Sequence, residues 1–110
     1  MRVYTARSQE DFTEKVKEGD VNLAAMICQA ILANLNNPKK NIYILSVELT
    51  EEEEIYDLSC SSAEFIVTLE RNLKTLEDNE LYELCQKVLD GINYLKKKQN
   101  QNKNSYEKVT

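Results

Sequence analysis

Asn41-Ile42-Tyr43-Ile44-Leu45-Ser46-Val47-Glu48-Leu49-Thr50, continued by Glu51-Glu52-Glu53-Glu54-Ile55-Tyr56-Asp57-Leu58-Ser59, is the stretch that separates a mixed fold from a purely helical one. Tyr43, Leu45, Val47 and Leu49 share one parity; Ile42, Ile44, Ser46 and Glu48 share the other. The first half is apolar on both faces and the second half alternates, the pattern of a strand that enters a core from one end. A lone strand needs something to pair with. Glu54 to Ser59 supplies it across a turn at Glu51 to Glu53, so the stretch predicts an antiparallel hairpin over about 41–59. Thr50-x-x-Glu53 also matches a capping box. A helix starting there is the competing reading, and it leads to an all-α bundle with a vestigial strand.

Upstream, Arg2 to Thr5 is a candidate further strand. Ser8 followed by Glu10 and Asp11 predicts the start of a short helix over about 9–18, because a hydroxyl accepts a backbone N–H there and acids suit the positive end of the helix. Phe12 and Val16 share its inner face. Gly19-Asp20 reads as a stop and a new cap. Val21 to Leu35 is apolar on most sides, with Leu23, Ile27 and Ile31 four apart, which marks a central helix. Asn36-Asn37-Pro38 ends it, since the residue before proline is pushed out of helical geometry.

Downstream, Ser61-x-x-Glu64 is a second capping box, followed by the seam Ile66, Leu69, Leu73 and Leu76. Glu77-Asp78-Asn79 is a break. Leu81, Leu84, Cys85, Val88, Ile92 and Leu95 form the next stripe, in which Gly91 costs about 1 kcal/mol relative to alanine and marks close packing. From Lys96 the composition turns to Lys, Asn and Gln, which predicts a disordered tail over 96–110 after a single domain over 1–95. The fold class expected is α+β: a small antiparallel sheet packed against three to four helices.

Composition narrows the function. With 110 residues, 42% of them hydrophobic, the chain supports one core. Two glycines and one proline suit long helices with few turns. No run nears the roughly 18–20 apolar residues of a membrane span, and the first residues lack the apolar core of a secretory signal; the expected location is cytoplasmic. There is no histidine, which removes the commonest general base and the usual zinc patterns. Phosphate-binding glycine loops cannot be built from Gly19 and Gly91 alone. Cys28, Cys60 and Cys85 are widely spaced, and reduced thiols in apolar helices behave as small hydrophobes. No cofactor or metal is expected, and no enzyme; a small enzyme using carboxylates or Cys60 is the alternative from another class.

The charge is uneven. The net charge is −5, but residues 1–95 hold nine Lys or Arg against eighteen Asp or Glu, and the last fifteen hold five Lys against one Glu. The densest acidic run is Glu48, Glu51, Glu52, Glu53, Glu54 and Asp57, with Tyr56 among them. One reading is a solvated turn that keeps strand ends from pairing with other chains. The functional reading is a docking surface for a basic protein partner, with the acids steering association and tyrosine anchoring it. A calcium loop does not fit, for lack of alternating ligands around a glycine. The leading function is a protein-binding module, an adaptor, inhibitor or regulator, with those seven residues as its partner-binding set. A DNA mimic that occupies a nucleic-acid-binding protein ranks second. A second copy, met through the 81–95 helix, is the other partner considered. Lys96-Lys97-Lys98 on an acidic body is a poor nucleic-acid footprint, and no membrane contact is expected.

Overall fold

A computed structural model describes the backbone of residues 2–109 and the side chains of residues 2–100. Its elements run β1 (Val3–Ala6), α1 (Gln9–Glu18), α2 (Val21–Leu32), β2 (Asn41–Leu49), β3 (Glu54–Ser61), a 3-10 turn (Ser62–Glu64), α3 (Phe65–Asp78) and α4 (Tyr82–Val109). The α+β class holds. The sheet has the order β1-β2-β3, with the expected hairpin between β2 and β3. It is mixed, however, because β1 runs parallel to β2. Two helices intervene between these strands, and such a crossover returns the chain in the same direction, as a tight turn cannot.

Capping decides the helix limits. Ser8 accepts from Asp11 N–H at 3.1 Å and Asp20 from Leu23 N–H at 3.0 Å, each satisfying a donor that the first helical turn leaves free. α1 closes on Gly19 at φ 74°, a conformation glycine adopts without a Cβ penalty. Only Phe12 of α1 is buried, with its ring edge-on to Tyr4 at 5.9 Å; Val16 is exposed. α2 stops at Leu32, short of the expected Leu35, where the Asn34 amide donates to Ala30 O at 2.7 Å. Ser61 caps the 3-10 turn through Ala63 N–H instead of opening α3 as a capping box. α3 ends in a Schellman closure: Leu81 N–H donates to Leu76 O at 3.0 Å and Glu80 N–H to Glu77 O at 3.0 Å.

That closure forces Glu80 to φ 59°, which a side chain resists by roughly 1–2 kcal/mol. Glu80→Gly is therefore expected to raise stability by about 1 kcal/mol, read as a higher urea midpoint at unchanged slope. An unchanged midpoint would show that the turn carries no such strain.

The helices lie over one face of the sheet. α2 packs directly on β2, α3 packs on α2, and α4 packs on both α3 and α2. β2 carries the surprise of the core. Between Tyr43, opposite Ser59, and Leu45, opposite Leu58, one residue is extra. This β-bulge at Ile44 switches the inward parity from even to odd. Ile42, Ile44, Leu45, Val47 and Leu49 are all buried as a result, while Tyr43 turns to the open face. Gly91 meets its expectation of close packing: a Cβ there would lie 2.6 Å from Leu32 Cδ2. α4 is continuous across Lys96-Lys97-Lys98, so the compositional boundary at residue 96 does not coincide with a helix end. The side chains of 101–110 lie outside the described residues.

Candidate interaction surface

Glu51, Glu52 and Glu53 form the turn between β2 and β3, and all three are exposed, as are Glu48 and Glu54 on the flanking strands. The turn is held against the start of α1. Thr50 N–H donates to Ala6 O and Glu51 N–H to Arg7 O, at 3.0 and 2.8 Å, which extends the β1–β2 pairing past the last residue of either strand. Glu52 Oε1 then accepts from Gln9 N–H at 3.2 Å, so one member of the acidic run serves as a cap for α1. Tyr56 lies on the helix-side face of β3, and its hydroxyl donates to Gln9 Oε1 at 3.0 Å. The tyrosine expected to anchor a partner is thus itself anchored on α1.

Asp57 lies farther along, opposite Ser46 on the open face. Ser46 is 1% exposed. Its Oγ donates to Asp57 Oδ1 at 2.9 Å and lies 2.7 Å from the Tyr43 hydroxyl, so burial leaves no polar atom of this group unmatched. Glu48, also on the open face, accepts from Thr5 Oγ1 at 3.3 Å. The seven residues chosen from sequence therefore divide in three. Glu51 to Glu54 gather at the tip, Glu48 and Asp57 lie on the open sheet face, and Tyr56 faces the helices.

The fold adds acids that the linear run did not include. Glu10, Asp11 and Glu14 of α1 share a shallow depression with Arg7, Ser8 and Glu51. Nothing local signals this, since it follows from the register that sets β1 beside β2. Arg7 is committed within it. Its N–H and guanidinium both reach Asp11, at 3.0 and 3.6 Å; the backbone hydrogen bond first, and the cation second, hold the Asp11 carboxyl below the usual carboxylate range. Among the described residues the ion pairs are Arg7–Asp11 and Glu70–Lys96. Glu10, Glu14, Glu48, Glu51 to Glu54 and Asp57 have no ion-pair partner among these residues.

Other placements bear on the alternatives. Cys85, Val88 and Ile92 of the α4 stripe are buried within the chain; among the described residues, Leu81 just before α4 and Tyr82, Leu89 and Tyr94 on it are the exposed large apolar side chains. Cys28 and Cys85 are buried. Burial, with Cys85 nearby, pushes the Cys28 thiol up to about 12, and burial also raises Cys85. A thiol-selective disulfide reagent at pH 8 is expected to modify one cysteine, Cys60, in the native protein and three after unfolding. Fast modification of two or more in the native state would contradict the buried placement. Among the described residues no group of three Cys, Asp or Glu is arranged to hold a metal ion, and no helix is long and apolar enough to cross a membrane. Compared with protein-family models, with curated protein sequences and with solved structures, the chain matches none.

Proposed function

We propose that the chain is a non-enzymatic protein-binding module, an adaptor, inhibitor or regulator acting in the cytoplasm, that docks a basic surface of its partner through the acidic end of the β2–β3 hairpin. The observation that carries this reading is the company the turn keeps. Glu51 to Glu54 stand exposed, without ion pairs among the described residues, beside Glu10 and Glu14, on a turn fixed by backbone hydrogen bonds to Ala6 and Arg7 and by a side-chain hydrogen bond to the first residue of α1. Clustered like charges repel one another. That repulsion is relieved when a cationic surface arrives, and the field of the cluster speeds the encounter. A fixed turn also spares part of the ordering cost of binding.

The partner is recovered by affinity capture from the native host at low and at high ionic strength. The expected result is a partner with a basic surface, retained at low ionic strength and released at high. Turnover of a small molecule by the purified chain, abolished by removing one carboxylate or Cys60, would overturn the proposal.

A further inference from the structure

β3 is an edge strand whose free side has a definite character. β2 covers its other side. Ser62 N–H donates to Lys40 O on the β2 side at 2.8 Å, and backbone groups alternate sides along a strand. Even-numbered residues of β3 therefore turn N–H and C=O toward β2, and Ile55, Asp57 and Ser59 turn theirs outward. No residue of β3 is buried. Tyr56, Leu58 and Cys60 pack against the core but remain half-exposed, and Ile55 on the open face is 57% exposed. Apolar surface flanks the free edge on both faces. Proteins usually blunt such an edge with charged side chains, lysine above all, or with proline, a bulge or shortness; on β3 that protection is acidic, Glu54 and Asp57, which repels an acidic strand and not a basic one. β3 has eight residues and no Lys, Arg or Pro, and the extra residue of the bulge belongs to β2.

Charge selects the occupant. The only charged residues of β3 are Glu54 and Asp57, continuous with Glu51 to Glu53. A second copy added antiparallel about Asp57, the central residue of the outward-turned Ile55, Asp57 and Ser59, would set Asp57 against Asp57, and like charges directly opposite are destabilising. A cationic strand reverses the sign at each of these positions.

We infer that β3 receives an extended basic segment of the partner as a fourth strand, its backbone pairing with Ile55, Asp57 and Ser59 and its lysine or arginine side chains facing Glu54 and Asp57. This rests on the acidic docking proposed above and adds the conformation of what docks. The probe is a capped octapeptide of Lys and Val with Lys on both faces of the strand, so that one can meet Glu54 and another Asp57, compared with the same peptide N-methylated at its four central amides, which keeps the charge but loses donors on both edges. The expected result is binding of the first, weakened about tenfold or more by N-methylation, with slowed hydrogen exchange at the Ile55, Asp57 and Ser59 amides. Ser59→Pro removes one outward N–H at a position where an edge strand tolerates proline, and should weaken the parent peptide similarly. Equal binding of both peptides would overturn strand addition and leave acidic docking standing. Binding of neither would also overturn strand addition; acidic docking is then judged separately, by charge reversal at the turn against the folded partner.

Discussion

Reversing Glu51, Glu53 and Glu54 to lysine together is expected to slow association with the basic partner by about 10- to 1000-fold at low ionic strength, the range over which charged surfaces steer encounters. Glu52 is left in place because its carboxylate holds Gln9 N–H at 3.2 Å; changing it would confuse a loss of docking with a fraying of α1. The three reversed side chains are exposed and lie outside the ion pairs among the described residues, so the variant should keep its circular dichroism spectrum and unfold cooperatively. The deficit should shrink as salt rises, since the screening length falls from about 10 Å at 0.1 M to about 3 Å at 1 M. The control reverses Glu64, Asp78 and Glu83, exposed residues outside those ion pairs, which changes net charge by the same amount outside the hairpin. Stopped-flow association rates at several ionic strengths decide the matter. If the turn variant associates as fast as the wild type at low salt, or no slower than the control, the turn is not the docking surface.

What was legible in the sequence followed from local rules. Ser8 and Asp20 capped helices where their side chains could reach a free N–H, and the limits of α1 needed nothing beyond its neighbours in the chain. The hairpin was legible because its strands are consecutive. The sense of β1 was not, because it depends on where two helices deliver the chain. The bulge at Ile44 was half-written: Ile42 and Ile44 on one parity and Leu45, Val47 and Leu49 on the other were visible, but a parity change reads equally as a strand buried on both faces. The interaction surface divides the same way. Acids adjacent in the chain were found. Glu10 and Glu14, which reach the turn only through the β1–β2 register, were not. The capping role of Glu52 and the burial of Ser46 beneath Tyr43 were likewise hidden, since each joins residues from separate elements or across the bulge. The apolar stripe of α4 suggested a surface for a second copy, yet an amphipathic stripe looks the same whether its partner is inside the chain or outside it. Cys85, Val88 and Ile92 find theirs inside.

Leu69→Ala is expected to be the most damaging of the single substitutions considered, costing about 2–5 kcal/mol. α3 packs against α2 on one side and α4 on the other, and Leu69 is 0% exposed within it. Its Cδ1 lies 4.0 Å from the position a Cβ on Gly91 would occupy, next to Leu32. The Gly91 position brings the α4 backbone close to α2, so little side chain is nearby to relax into the space an alanine leaves, and the cavity should persist. Domains of this size are stable by about 5–15 kcal/mol, so the variant stands to lose a large share of its margin. Each kcal/mol lowers Tm by roughly 4–8 °C in a domain near 100 residues, and the drop should therefore be at least about 8 °C. Val67→Ala is the internal reference. It lies two residues away on the same helix, is 53% exposed, and should stay within about 0.5 kcal/mol of the wild type. Leu69→Met, which conserves volume, should cost less than about 1.5 kcal/mol. Urea unfolding followed by circular dichroism measures all three. Equal losses at positions 67 and 69 would mean that α3 is not packed on both sides, and the arrangement of α2, α3 and α4 that supports the hairpin would have to be drawn again.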